Sequence, residues 1–220
     1  MFDKFSFADI NINVELIMTV NQGYNDSQNW FLSNKVLYDL CEMYPKHNDL
    51  HQIVAKIYLI GRSYAVAVER RTNAKETEEG NFYYDYIAPA IKNSDIDKRL
   101  ERLKKFDYPT EENMEQILSV HKYLQEVIAQ CTADEKRSLV SKYLHFHMPN
   151  LFYLYDSYSN NELNKIVKHK SKWNLPENAD DEYAKYFIRS LFVQSQIAPE
   201  VSDFPRILDR FLQKRAGRMR

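Results

Sequence analysis

The stretch SLVSKYLHFHMPNLFYLYDSYS, residues 138–159, gathers the side chains most able to do chemistry onto an apolar background. It holds a lysine, two histidines and an aspartate among several tyrosines. Lysine, histidine and aspartate can hold or move protons, and tyrosine can donate a hydrogen bond. The stretch therefore predicts either an active site or a polar helix–turn–helix within a core.

Asp156 has the clearest chemical use in this stretch. It follows the apolar run 151–155 and precedes a predicted helix, so its carboxylate is expected to accept the first free N–H groups of that helix. The positive end of a helix also favours a negative charge there. A fixed anion can stabilise an oxocarbenium-like sugar as a glycosidic bond breaks, and it can orient the attacking water. A helix cap and a catalytic carboxylate both remain open.

The two histidines of the stretch do not have the spacing of a metal site. His145 and His147 are two residues apart, which places them on different faces of a helix, unlike the i, i+4 pair of a zinc helix. No acid or cysteine completes a ligand set at a familiar spacing. We therefore expect no metal, with one histidine facing a cleft and the other partly buried and hydrogen-bonded.

Two other segments carry basic groups. The long predicted helix 50–71 presents Arg62 and Tyr64, which belong either to a charged outer face or to a pocket. Residues 206–220 hold six bases and one acid. This tail is interpreted either as a frayed, flexible terminus or as a segment that contacts phosphates.

The composition excludes several classes of protein. The chain has 220 residues, a net charge of −1, and 44% hydrophobic residues, so any anion-binding face must be local. Cys41 and Cys131 cannot form a disulfide framework, and four glycines form no phosphate loop. The segment MFDKFSFADI has acids and no apolar core of signal-peptide length, and the sequence has no apolar run of about 18 residues. We therefore expect a cytoplasmic protein without a signal peptide or a membrane partner.

Apolar residues recur at helical spacing along most of the chain, and no alternating strands joined by hairpin turns are found. A capping box formed by Thr132 and Glu135 is predicted to open the helix that runs to about residue 147. The fold is predicted to be all-α, a compact single domain over 1–220 with about nine or ten helices in two lobes around a cleft. The other helices are predicted over residues 27–43, 50–71, 82–92, 95–106, 111–130, 158–170, 181–196 and 204–214.

With these elements in place, the chain resembles the catalytic segment of the helix–hairpin–helix superfamily of DNA glycosylases. It is most similar to the 8-oxoguanine and alkylbase branches. The resemblance covers residues 132–158: a helix with lysines near its start, a turn with Pro149, an apolar run, and an aspartate at a helix mouth. In that family an essential aspartate stands where this chain has Asp156.

The resemblance implies roles for further residues. Lys136 lies nearest the nucleophilic lysine of the bifunctional members, and Lys142, two helical turns later, is the alternative catalytic lysine that would face the cleft. The family's glycine-rich hairpin is replaced by QCTADEKRS, which has no glycine, so phosphates would be held at the Thr132 helix start or by Lys136 and Arg137. A flipped base is stacked and hydrogen-bonded in its pocket. The residues expected to contact DNA are Arg62, Tyr64, Arg137, His145, Tyr155, Ser157 and Tyr158.

The implied function is a DNA glycosylase, expected to be monofunctional, that flips a damaged or modified base and hydrolyses its N-glycosidic bond with Asp156 as the catalytic carboxylate. Its partner would be double-stranded DNA, with no cofactor, no metal and no obligate protein partner. Base-excision repair and defence against phage DNA with modified bases both fit. The alternatives are a non-catalytic helical protein that binds nucleic acid or protein, and a hydrolase of free nucleosides.

Overall fold

The structure is a computed structural model that describes residues 2–8, 28–66, 68, 82–132, 134–197, 201 and 203–218, with the backbone alone for residues 28–31. Helices make up nearly all of its regular structure, so the prediction of an all-α fold with nine or ten helices is confirmed. The α-helices in the described residues are α1 Gln28–Met43, α2 Leu50–Ser63, α3 Ala88–Lys92, α4 Ile96–Leu103, α5 Met114–Thr132, α6 Arg137–His147, α7 Ser157–Ile166, α8 Asp181–Ile197 and α9 Phe204–Arg215. A 3-10 turn, Phe2–Lys4, and a π-helical segment, Tyr83–Ile87, complete the helical structure of these residues.

The chain divides into two compact units. Unit 1 comprises Met1–Asn25, Phe106–Leu118 and Pro149–Arg220, and unit 2 comprises Asp26–Lys105 and Ser119–Met148. Each unit has its own set of buried apolar side chains, and each is described below by itself. The single domain over 1–220 and the cleft between two lobes stay predictions.

Two short strands were not predicted. Strand β1, Phe5–Phe7, pairs antiparallel with strand β2, Val167–His169, in unit 1. The predicted helix 158–170 is therefore too long, because α7 ends at Ile166 and the chain continues as β2. Strands of three residues are too short to show alternation, and no hairpin turn joins two segments so far apart in sequence.

Helix α2 ends before the predicted residue 71. Ala65 follows the helix with φ 53°, in the left-handed region, and the Val66 N–H donates to the Gly61 carbonyl at 2.8 Å. Such a reversal closes a helix end, and glycine is the usual residue at the left-handed position. Because alanine holds that position here, no glycine marks the end. Residues 67 and 69–71, and the predicted loop 75–81, lie outside the described residues.

The predicted capping box is wrong. Thr132 is the last residue of α5, and its hydroxyl donates to the carbonyls of Ile128 and Asp134 at 3.1 and 2.9 Å. Helix α6 begins only at Arg137, behind Lys136, whose side chain makes no capping hydrogen bond. The Thr132 hydroxyl thus closes the preceding helix.

The basic segment at the end of the chain is largely helical. Helix α9 agrees with the predicted helix 204–214 and buries Leu208 and Leu212 in unit 1. Arg206 is also buried, with its Nη1 3.3 Å from Asp209 Oδ2. A frayed terminus is therefore wrong for residues 206–215, because burial of its apolar face holds this helix in place. Residues 219 and 220 lie outside the described residues.

None of the described helices is both long and apolar enough to cross a membrane.

Candidate functional site

The apolar run before Asp156 is buried without regular secondary structure. Tyr153 and Leu154 are fully buried, and their carbonyls accept hydrogen bonds from the hydroxyls of Tyr183 and Tyr186 on α8, at 3.0 and 2.9 Å. Burial raises the pKa of both α8 tyrosines well above the usual value, so their hydroxyls stay protonated and donate. These bonds satisfy two buried backbone carbonyls that have no partner in a helix or sheet, and they hold in place the segment that leads into Asp156.

Asp156 is the N-cap of α7, as predicted. Its Oδ1 accepts the backbone N–H of Ser159 at 2.8 Å, and its Oδ2 accepts Nε2 of Gln213, from α9, at 2.6 Å. The same Gln213 nitrogen also lies 2.9 Å from the Ser159 hydroxyl oxygen. The carboxylate is half-buried and is held at both oxygens by groups that carry no charge.

The neighbours of Asp156 differ in exposure. Ser157 is exposed, Tyr155 is half-buried with its ring edge-on to Tyr186 at 5.3 Å, and Tyr158 is 50% exposed. The Arg218 guanidinium lies 4.1 Å from the centre of the Tyr158 ring. Tyr158 and Arg218 are therefore an aromatic and a cation available at the surface within unit 1.

Other aromatic side chains of the opening stretch belong to the cores of the units. Phe152 and Tyr153 in unit 1, and Tyr143 and Phe146 in unit 2, are each at most 2% exposed. Tyr153 donates to the Gln194 amide oxygen, so its hydroxyl is engaged as well. The aromatic side chains near Asp156 in sequence are thus mostly packing residues, and Tyr155 and Tyr158 keep accessible surface.

Lys142 and His145 are buried within unit 2. Lys142 Nζ donates to the Ser138 hydroxyl at 2.9 Å and lies 5.6 Å from the centre of the Tyr64 ring, and Lys142 is 2% exposed. His145 is fully buried, with Nε2 2.6 Å from the Tyr38 hydroxyl. The expected contact of these two side chains with DNA stays a prediction, and it requires them to gain exposure.

The remaining predicted contacts are also in unit 2. Lys136 Nζ lies 3.4 Å from Asp134 Oδ2, and Arg137 Nη2 donates to Glu135 Oε2 at 3.0 Å. Both bases therefore face acids two residues away. Arg62 is exposed on α2, with its guanidinium 5.2 Å from the centre of the Tyr58 ring.

The predicted site residues thus fall into two groups. Unit 1 contains the capping aspartate and the three residues around it, and unit 2 contains the lysines and the other basic or aromatic candidates. Within unit 1, the irregular segment before α7 and the start of α7 position Asp156. Helix α9 places Gln213 beside it. Gln213 was not predicted, because it is separated from Asp156 by 57 residues and a lone glutamine carries no spacing signal.

A polar network in unit 2 was also missed. His47, which is 2% exposed, has Nδ1 2.6 Å from Asp97 Oδ1 and Nε2 2.8 Å from the Tyr143 hydroxyl. The His147 ring lies 4.8 Å from that of His47 and 4.9 Å from that of Tyr143. Separations of 50 and 96 residues between the hydrogen-bonded partners explain why no motif revealed the network.

Burial controls protonation in this network. It lowers the pKa of His147 well below the ordinary value, and Lys56 and His47 act in the same direction. Burial lowers the pKa of fully buried Lys56 to about 8, and its Nζ donates to the carbonyls of Tyr44 and Lys46. Burial also raises the pKa of the Cys41 thiol to about 12, which opposes thiolate chemistry.

Within the described residues, no three side chains of His, Cys, Asp or Glu lie together as metal binding requires. The arrangement around Asp156 suits electrostatic stabilisation of a cation and orientation of a water. No protein-family model matches the chain, and no curated protein or solved structure matches it.

Proposed function

We propose that the chain is a DNA N-glycosylase that removes a damaged or modified base and leaves an abasic site. The observation that supports this proposal is the placement of Asp156: a half-buried carboxylate at a helix N-terminus, held at both oxygens by Ser159 and Gln213. We assign a glycosylase reaction to this carboxylate because residues 132–158 resemble the catalytic segment of helix–hairpin–helix glycosylases.

The chemistry asked of Asp156 is electrostatic. As the bond between C1′ and the base nitrogen lengthens, positive charge develops on the sugar, and a fixed carboxylate lowers the energy of that state. An ionised carboxylate offers about four lone-pair sites, so its two protein hydrogen bonds leave room to accept a bond from the attacking water. The water oxygen bonds to C1′, the base leaves with the bonding electrons, and the proton released by the water neutralises the base.

Hydrolysis without a lysine nucleophile is the form of the reaction that we propose. A lysine that forms a covalent adduct must present a free amine to C1′. Lys142 is buried with its Nζ on the Ser138 hydroxyl, and Lys136 faces Asp134. We therefore expect no covalent protein–DNA product after borohydride reduction, and a trapped adduct that disappears in Lys136→Gln or Lys142→Gln would overturn this point.

The test of the proposal is a matched pair of substitutions. Asp156→Asn removes the charge and keeps a residue that caps helices well. Asp49→Asn makes the same change at the N-cap of α2 in unit 2, where Asp49 Oδ1 accepts the Gln52 N–H at 3.0 Å. We expect base release to fall at least about 100-fold in Asp156→Asn and to be unchanged in Asp49→Asn. Wild-type rates in both variants would contradict the mechanism.

The substrate base is to be found by screening. Purified protein is incubated with genomic DNAs that carry oxidised, alkylated or phage-type modified bases, and abasic sites are counted. Excision from damaged host-type DNA supports a role in base-excision repair, and excision from modified phage DNA supports defence. Release of bases from free nucleosides but not from duplexes would assign the chain to nucleoside hydrolysis instead.

A non-catalytic helical binding protein is the second candidate. Both oxygens of Asp156 are used by protein groups, as in a purely structural cap. This candidate predicts binding without abasic sites on any substrate in the screen.

A further inference from the structure

Exposed lysines lie on and directly beside the two strands of unit 1. In the antiparallel register Phe5 pairs with His169 and Ser6 with Lys168, and the Lys170 N–H donates to the Lys4 carbonyl at 2.9 Å. Paired residues share a face and alternate residues switch face. Lys168 therefore lies on the face opposite Phe5 and His169, Lys170 directly follows β2, and Lys4 is the last residue of the 3-10 turn Phe2–Lys4 that leads into β1. All three are exposed. We call these three residues the lysine face.

The opposite face is packed and fixes the orientation of the strands. Phe5 is buried and stacks on Phe192 of α8 with ring centres 5.4 Å apart. His169 stacks on Trp173 at 4.1 Å, and the Arg189 guanidinium lies 4.7 Å from the centre of the Trp173 ring. Because one face is held by this aromatic packing, the lysine face cannot turn inward.

The lysine face concentrates charge that the described residues do not neutralise. Segments 2–8 and 167–173 contain four lysines, including exposed Lys172, and a single acid, Asp3. Among the described residues, no salt bridge involves any of these four lysines, whereas Lys35 and Lys98 on helices of unit 2, and Lys104 at the end of α4, each pair with an acid one turn away.

This arrangement does not serve the fold. Like charges held close together at a strand pair are destabilising, and a backbone hydrogen bond joins Lys170 to Lys4. Exposed lysines also contribute little packing. The charge therefore points to a partner that carries the opposite sign.

From this geometry we infer that the lysine face binds the phosphate backbone of nucleic acid. Residues two apart on a strand are about 6.7 Å apart along it, which suits a linear series of phosphates better than one headgroup. Membrane-surface segments combine bases with exposed large apolar residues. None of the exposed large apolar side chains among the described residues lies in β1 or β2.

The inference is separate from base excision, because phosphate contacts are independent of sequence and need no reaction. The test measures binding to an unmodified duplex over a range of salt concentrations. Each phosphate contact contributes about 0.9 to the slope of log affinity against log salt, so three lysines contribute about 2.7. We expect the triple variant Lys4→Gln, Lys168→Gln, Lys170→Gln to reduce the slope by about that amount, with affinity falling on the order of 10- to 100-fold near 0.1 M salt.

The matched control is the triple variant Lys35→Gln, Lys98→Gln, Lys104→Gln, which changes the net charge equally. Its slope should stay within about 0.5 of the wild type, since these lysines face acids. An unchanged slope in the first triple variant, or equal losses in both, would overturn the inference. So would binding of wild type to anionic vesicles but not to duplex DNA.

Two further measurements separate this inference from the proposed function. Asp156→Asn should bind the unmodified duplex with the wild-type salt slope even if it releases no base. Thermal unfolding of the lysine-face variant should show a Tm no lower than that of wild type, because like charges have been removed. A large fall in Tm would assign the lysines a structural role and contradict the inference.

Discussion

Asp156 in unit 1 and Asp97 in unit 2 are both carboxylates bound at both oxygens, but their partners differ. Asp156 accepts a backbone N–H and a glutamine amide, neither of which titrates. Asp97 accepts both the backbone N–H and Nδ1 of His47, and burial lowers the pKa of that histidine. One carboxylate is held by donors that do not titrate, and the other is held by a group that can change charge.

The difference indicates separate purposes for the two regions. A carboxylate fixed by neutral donors keeps its position while positive charge develops beside it. This suits a site that stabilises a cationic transition state. A network built from His47, His147 and Lys56 ties the stability of unit 2 to pH instead. We therefore expect substitutions in unit 2 to change mainly stability and its pH dependence, and substitutions around Asp156 to change mainly activity.

The largest expected effect on stability is that of His47→Ala. The substitution leaves a cavity in unit 2 and removes the partner of the buried Tyr143 hydroxyl. Asp97 is partly exposed, so water can replace its lost partner. We expect the free energy of unfolding in urea to fall by about 3 kcal/mol at neutral pH. His51→Ala, at an exposed position on α2, should stay within about 0.5 kcal/mol of the wild type.

Lys56→Met tests the pH dependence on the alkaline side. The pKa of Lys56 is about 8 in the folded protein against 10.5 ordinarily, so the unfolded chain binds more protons between these values. Stability from this group therefore rises with pH in that window. Between pH 8 and 10 the wild type should gain about 2 kcal/mol relative to Lys56→Met. Parallel urea curves at both pH values would show that Lys56 is charged in the folded protein.

The acid side is tested by His147→Phe. His147 faces His47, Tyr143 and Lys56, and its Nε2 is buried without a partner among the described residues. Because its folded pKa lies well below the ordinary 6.5, the wild type loses stability as the pH falls below 6.5. The variant lacks this loss. Measured by urea unfolding, its stability relative to wild type should be about 1–2 kcal/mol higher at pH 5 than at pH 7.5.

The smallest stability change is expected for Gln213→Ala in unit 1. The substitution removes one donor that is shared by Asp156 and Ser159. Asp156 is half-buried and can bind water instead, whereas the fully buried Ser159 hydroxyl loses this partner. We expect the free energy of unfolding to fall by about 1 kcal/mol, and this decrease to be the same between pH 5 and 8. If the proposed function is right, base release should fall by more than this loss explains, and restoration by Gln213→Asn would show that the amide positions the carboxylate.

Local patterns predicted the helices well. Helices α8 and α9 begin at the predicted residues, because Asp180 and the Phe204–Pro205 pair mark their starts and apolar periodicity continues behind them. The cap at Asp156 was predicted for the same reason. These features depend on residues within one or two turns of each other, which is the range that sequence spacing can report.

The features that were missed depend on distant residues or on local exceptions. Gln213 reaches Asp156, and His47 reaches Asp97, only through packing of helices that are far apart in sequence. The end of α2 was missed because Ala65 takes a conformation that usually signals glycine. The lysine face was missed because its strands are too short to show alternation.

The pairing of β1 with β2 also has a consequence for the order in which the chain folds. This strand pair cannot form until residue 169 has been synthesised and has come close to residue 5. Because closing so long a loop costs entropy, we expect these contacts to form late in folding. During synthesis, by contrast, the last segment of unit 2 is complete at Met148. In pulse-labelled hydrogen exchange, the amides of Ala8 and Lys170, which bond across this pair, should become protected after those of α2.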